Sequence, residues 1–150
     1  MSEHVAEIVW KRETESFAYD DYNRTHIWRF DNGAEVKAAA APAFLGDPAC
    51  VDPEEAYTAS ISSCHMLTFL AIAARKRLTV DAYDDKAVGH LEKNAQGRLA
   101  MTRVELFPKI VFAKGVAVDR PTLEKMHHDA HEACFIANSV KTDITVEIRE

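Results

Sequence analysis

Three cysteines, Cys50, Cys64 and Cys134, are the residues of this 150-residue chain best suited to covalent chemistry. An odd count with no secretory leader is not a disulfide framework, so reduced, reactive or metal-binding thiols are the options. Cys64 lies within Ser62-Ser63-Cys64-His65 in a long apolar segment, where a cysteine is usually inert filler. Glu54 stands ten residues earlier. On a helix that interval is ~15 Å along the axis, so thiol and carboxylate cannot touch but can border one cleft. His65 points ~100° away from Cys64 around the same helix. It is a poor direct base and reads as a hydrogen-bonded packing residue. Cys134 closes a second candidate helix, and His127, His131 and Cys134 recur at i, i+4 and i+7. Two imidazoles and a thiolate on one helical face can bind zinc. The alternative is a solvated histidine face on a helix ending in a buried cysteine. Asn138 suits a helix C-terminus because it tolerates the left-handed conformation. Cys50 has no activating neighbour in sequence. Arg24 and His26 place two potentially cationic groups on one strand face. A guanidinium beside a thiol favours the nucleophilic thiolate, whereas an ordinary exposed arginine would pair with one of the 24 carboxylates.

The elements that must position these groups are legible in outline. Residues 5–10 alternate as a strand, and the charged segment 11–21 is a hairpin connection or short edge strand. A second strand over 22–30 leads into Asp31-Asn32-Gly33, a turn signal of the type I′ kind, and a third strand over 34–40 follows. After a loop over 41–51, Asp52-Pro53-Glu54-Glu55 starts a helix: Asp52 caps, Pro53 suits the first turn and Glu55 completes a capping box. That helix is expected to run to about Arg77, apolar nearly all round, and hence to be buried on all sides. Strands over 80–91 and 98–112, joined through Asn94-Ala95-Gln96-Gly97, come next; Pro108 implies a bulge or an edge. Pro121 opens a helix to about Cys134, and 142–149 forms a last strand. This order indicates an α+β fold with antiparallel sheet, in one domain spanning 1–150.

Composition narrows the function classes. The chain is 47% hydrophobic and 28% charged with a net charge of −6, ordinary for a globular protein and unfavourable for a nucleic-acid binder. The one basic cluster, Arg75-Lys76-Arg77, sits where it complements the negative end of a helix dipole. No run approaches the ~20 consecutive apolar residues of a membrane span, and the N-terminus lacks a basic start and apolar core. A cytoplasmic protein with no membrane or nucleic-acid partner is expected.

Taken together, Asp52-Pro53-Glu54-Glu55, a small-residue helix reaching Ser63-Cys64, and a helix ending in Cys134 with Asn138 four residues on resemble the OsmC/Ohr family of organic hydroperoxide reductases. The family's first motif has Asn/Asp-Pro-Glu leading a helix with a reactive cysteine ten residues after the Glu; Glu54 and Cys64 keep that interval. Its second motif is Cys-Pro-x-Ser-Asn; Cys134-Phe135-Ile136-Ala137-Asn138 keeps the Cys and the Asn without the Pro and the Ser. His65 also stands where the best-characterised peroxidases have an aromatic. The resemblance implies an intertwined homodimer with antiparallel sheets wrapped around a long central helix, and a thiol peroxidase needing neither metal nor haem. Cys64 would become a sulfenic acid on meeting a hydroperoxide, and Cys134 would resolve it as a disulfide that an external dithiol reduces. Glu54 and Arg24 would form a charged network near the reactive thiol. Metal binding through His127, His131 and Cys134, or a non-catalytic ligand-binding member of the same fold, are the alternatives.

Overall fold

The computed structural model describes residues 1–150. The chain forms two compact units, Met1–Ala56 and Tyr57–Glu150, with the long helix beginning in the first and continuing into the second.

The first unit is a three-stranded antiparallel sheet in the order β1 (Ala6–Val9), β2 (His26–Phe30), β3 (Glu35–Ala38), with Ala6 opposite Phe30 and His26 opposite Ala38. The β2–β3 turn is not the expected type I′. Gly33 alone has positive φ (86°), its N–H bonds to the Phe30 carbonyl, and the Phe30 N–H bonds to the Ala34 carbonyl. A turn over Asp31-Asn32 followed by a left-handed glycine makes the longer connection with a bulge, which spares Asn32 a strained φ. Residues 11–25 hold no strand. The helix start is as the sequence indicates: Asp52 Oδ1 accepts from the Glu55 N–H at 2.7 Å and Glu55 Oε2 accepts from the Asp52 N–H at 3.1 Å, a reciprocal capping box.

Helix α1 spans Pro53–Arg75. It stops short of Arg77 because Arg77 adopts φ 59°, with its N–H on the Ala74 carbonyl and the Leu78 N–H on the Ala73 carbonyl. These two bonds form a Schellman cap in which arginine occupies the position usually held by glycine. By length and composition alone α1 could cross a bilayer, a test that the core helix of a soluble protein also passes. Ser, Thr and His residues interrupt every consecutive apolar run in α1, yet the helix as a whole averages apolar. The expectation of burial on all sides is corrected. The chain fully buries one stripe, Ile61, His65, Phe69 and Ala73, while Leu67 on another face is 61% exposed. Apolar composition around a helix says what may cover it, and one chain covers only one stripe.

In the second unit the two long predicted strands are four. β4 (Val80–Asp85) pairs with β7 (Pro108–Phe112), and β5 (Val88–Lys93) pairs with β6 (Leu99–Leu106), both antiparallel. Breaks at Lys86-Ala87 and at Phe107 let one long hairpin serve two sheets. Pro108 begins β7, where a missing N–H costs least. Strand β8 (Asp143–Val146) joins β6 in parallel, giving the order β5-β6-β8, so the sheet is mixed and not purely antiparallel. The connection from β6 to β8 contains β7 and helix α2 (Arg120–Ala133), and a crossover of that length returns a strand in the same direction. Helix α2 starts at Asp119, whose side chain accepts from the Thr122 N–H. Two clusters form the core of this unit: Phe69 and Ala73 of α1 with Met126 and Ala130 of α2, and Ile61 of α1 with Val104 and Leu106 of β6.

Candidate active site

Two pairs of side chains join α1 to the end of the chain around α2, and one of them is the pair of thiols. Cys64 is half-buried on α1; Cys134 is 1% exposed and caps α2. Both are free thiols within the second unit, and Cys64 is near enough to influence the titration of Cys134. Burial first, and then the neighbouring Cys64 thiol, raise the Cys134 pKa, whereas the N–H groups of Ala137, 3.5 Å from Sγ, and Ile136 oppose the rise. Local backbone explains why Cys134 can turn toward α1. At φ −73° and ψ 118° it has left the helix, with its N–H on the His131 carbonyl at 3.3 Å and the Asn138 N–H on its own carbonyl at 3.0 Å. Asn138 does not supply a left-handed helix end. It sits in a short 3-10 turn, and its side-chain amide donates to the Glu132 carbonyl at 2.9 Å. Thr68 Oγ1 donates to the Cys64 carbonyl at 2.9 Å, one turn along α1.

The second pair is His65 and His127. Nε2 of His65 lies 2.9 Å from Nδ1 of His127, their planes differ by 4°, and the Phe69 ring stacks on His127 with centroids 4.4 Å apart. His65 is thus the hydrogen-bonded packing residue that its place on the helix suggests. Both rings are pushed down to about 4, first by burial. Charges on His131 lower His65 further while Asp85 opposes; charges on His65 and Arg120 lower His127. Nε2 of His127 is buried without a hydrogen-bond partner. Close by on α1, Ser62 Oγ donates to Asp85 Oδ2 at 2.5 Å, and Asp85 Oδ1 accepts from the Phe107 N–H at 2.6 Å, tying the helix to the break between β6 and β7.

The candidate zinc face does not assemble. No group of three or more His, Cys, Asp or Glu side chains converges as a metal site. The spacing argument assumed a continuous helix to position 134, whereas α2 ends at Ala133 and His127 faces the core. His131 instead lines a groove of about 410 Å³ with Arg120, Glu124, His127, His128 and residues 146–148.

The remaining candidates lie in the first unit. Arg24 donates from Nη1 to the Tyr22 carbonyl at 2.8 Å and from Nη2 to the Tyr19 carbonyl at 2.6 Å, with its guanidinium 4.1 Å from the Tyr22 ring centroid. It makes none of the chain's ion pairs. His26 accepts at Nε2 from Trp28 Nε1 at 2.9 Å, which leaves Nδ1 to donate to the Arg24 carbonyl at 2.8 Å. Glu54 lies in the first turn of α1, and Cys50 is a half-buried loop thiol whose N–H bonds to the Asp47 carbonyl.

The His65–His127 pair is what sequence reasoning missed. The signal was present in Leu123, Met126, His127, Ala130 and Cys134, which fall on one stripe at helical period and place His127 inside.

Residues 46–149 match the family model described as OsmC-like protein. The chain belongs to the OsmC-like family. Among solved structures it is similar to an OsmC-like protein of unknown function from Vibrio cholerae, at 49% identity over 99% of this chain and 100% of that one, with a TM-score of 0.95. An organic hydroperoxide resistance protein from Legionella pneumophila is 14% identical over 100% of this chain and 98% of that one, with a TM-score of 0.74. The organic hydroperoxide resistance protein OhrB of Bacillus subtilis is 18% identical over 97% of this chain and 98% of that one, with a TM-score of 0.68. At those identities the last two speak for the OsmC-like fold alone. No curated protein matches the sequence.

Proposed function

We propose that this OsmC-like chain is a dithiol-dependent peroxidase acting on organic hydroperoxides, with Cys64 as the peroxidatic and Cys134 as the resolving cysteine. The observation that carries the reading is that the buried Cys134 thiol at the end of α2 has Cys64 of α1 as a neighbour that raises its pKa. The Cys64 thiolate attacks the distal oxygen of the hydroperoxide; the O–O bond breaks, the sulfur takes the hydroxyl as a sulfenic acid, and the departing alkoxide takes a proton to become an alcohol. The Cys134 thiol then attacks the Cys64 sulfur, an S–S bond forms, and the hydroxyl leaves with the Cys134 proton as water. An external dithiol reduces the disulfide by exchange and is itself oxidised. Burial keeps Cys134 protonated before the first step, which suits a resolving thiol that should not compete for peroxide.

Glu54 and Arg24 are assigned the charged network by family resemblance. The same resemblance supports an intertwined homodimer, and the exposed Leu67 on α1 is consistent with a second copy covering that face. A cytoplasmic location and a role in antioxidant stress response complete the proposal.

Cumene hydroperoxide and dithiothreitol test it directly. The wild type should consume one hydroperoxide per dithiol oxidised, and Cys64→Ser should consume none. With Cys134→Ser, dimedone should label Cys64 after one addition of peroxide. Undiminished turnover in Cys64→Ser, or no consumption by the wild type, rejects the assignment.

A further inference from the structure

Helix α1 carries Cys64 beside His65, and helix α2 carries His127 two turns before Cys134. Below the thiols the helices meet through Phe69 and Ala73 against Met126 and Ala130, a purely apolar contact that fixes no side-chain orientation. The directional link next to the thiols is the imidazole pair, 1% and 3% exposed, with 2.9 Å between nitrogens. One nitrogen must donate and the other accept.

We propose that His65 and His127 are positioning residues for disulfide closure: their hydrogen bond sets α1 against α2 so that Cys64 and Cys134 stay at bonding separation, and it holds only while at least one ring is neutral. The inference rests on the two-cysteine reading above. A single proton can be shared between the rings. Two imidazolium rings have only N–H groups to turn toward each other, and like charge then drives them apart. A disulfide requires its Cα atoms within roughly 7 Å, so a small displacement of either helix prevents closure.

The groups facing the pair set where this happens. From β4, the carboxylate of Asp85 favours the charged form of His65, while the ring of Tyr83 stands 6.5 Å from His127 with its hydroxyl buried and unpartnered. From α2, His131 and Arg120 disfavour charge on the pair, and from α1 the Phe69 ring covers His127 with apolar surface. Burial outweighs Asp85, so the pair is neutral at pH 7 and charges near pH 4.

The test measures closure with a probe that needs no peroxide. In a Cys50→Ser background, 4,4′-dithiodipyridine is attacked by one protein thiolate and releases one thiopyridone. The second cysteine then attacks the protein-side sulfur of the mixed disulfide, releases a second thiopyridone and forms the Cys64–Cys134 bond. Two protein thiols are oxidised and one probe disulfide is reduced. Falling thiolate supply slows the second step and protonation of the probe's pyridine nitrogen speeds it, alike in every variant. Between pH 7 and 3 the wild type should run parallel to His65→Gln/His127→Asn at first and then fall at least threefold below it as both rings charge. His65→Leu and His127→Leu should each close at least tenfold more slowly at pH 6.

The double variant His65→Gln/His127→Asn places an amide near each bonded nitrogen without a titrating group. It should close within threefold of the wild type at pH 6 and show no added fall down to pH 3, a rescue that mere loss of folding in the single variants cannot mimic. A wild type that stays parallel to the double variant down to pH 3, or a double variant as slow as the single ones, overturns the inference. Hydroperoxide consumption on the same samples separates the two readings. Closure that depends on the pair without peroxide consumption defeats the peroxidase reading and leaves the positioning role standing. Peroxide consumption with closure indifferent to the pair defeats the positioning role alone.

Discussion

Lowering the pH from 7 to 5 should destabilise the native protein through His65 and His127. Each ring has its folded pKa depressed from 6.5 to about 4 by burial. The unfolded chain therefore binds more protons than the native one between those values, and stability rises with pH across that window. The contribution is fully present above pH 6.5 and is lost as the pH falls toward 4. Integrating the linkage for one ring gives about 2 kcal/mol lost between pH 7 and pH 5, and about 4 kcal/mol for two rings titrating independently. Mutual repulsion makes the pair's two protonations sequential and the acid slope broader. Carboxylates with depressed pKa values, among them Glu105 held by His90 and Asp119 held by the Thr122 N–H, lose their contribution only as the pH falls below their unfolded values near 4. The upper part of the window therefore isolates the histidines. With a urea m value of about 2 kcal/mol per molar, the midpoint should fall by about 1–2 M between pH 7 and pH 5 at fixed protein concentration. His65→Gln/His127→Asn should lose less than half as much. Equal shifts in the two proteins, or a wild-type midpoint that does not move, would refute the argument from burial.

Asp119→Ala removes the side-chain cap of α2 and should lower stability by about 1 kcal/mol, read as a reduced melting temperature. Ile61→Ala opens a cavity against Val104 and Leu106 and should cost about 2–5 kcal/mol in urea unfolding. Gly89→Ala drives a methyl group into Thr58 of α1 and Met101 of β6, so a loss of about 1–3 kcal/mol is expected, with relief when Met101→Ala is added.

Local chemistry was readable wherever the chain decides it locally. Asp52 and Glu55 announce the capping box three residues apart, and the pattern around Cys64 and Cys134 places both thiols on or beside helices. What could not be read depends on where chain segments meet. Two long strands became four because the breaks at Lys86-Ala87 and Phe107 carry no Gly, Asn or Asp, and the parallel pairing of β8 with β6 is a long-range choice with no local mark. The helix end at Arg77 lacks glycine, so the cap was invisible. His127 illustrates the limit within the site. Its type suggested a ligand, while its position in the Met126–Ala130 stripe buried it against Phe69, and burial decided its chemistry.

The central claim is most directly tested by mapping disulfides after one equivalent of organic hydroperoxide is added to fully reduced Cys50→Ser protein. Peptide mass spectrometry should return a single cross-linked peptide pair containing Cys64 and Cys134, formed at a yield that follows the peroxide consumed and reversed by dithiothreitol. Peroxide consumption that leaves both thiols alkylatable, or a cross-link only between chains with neither thiol joined to the other, would contradict it.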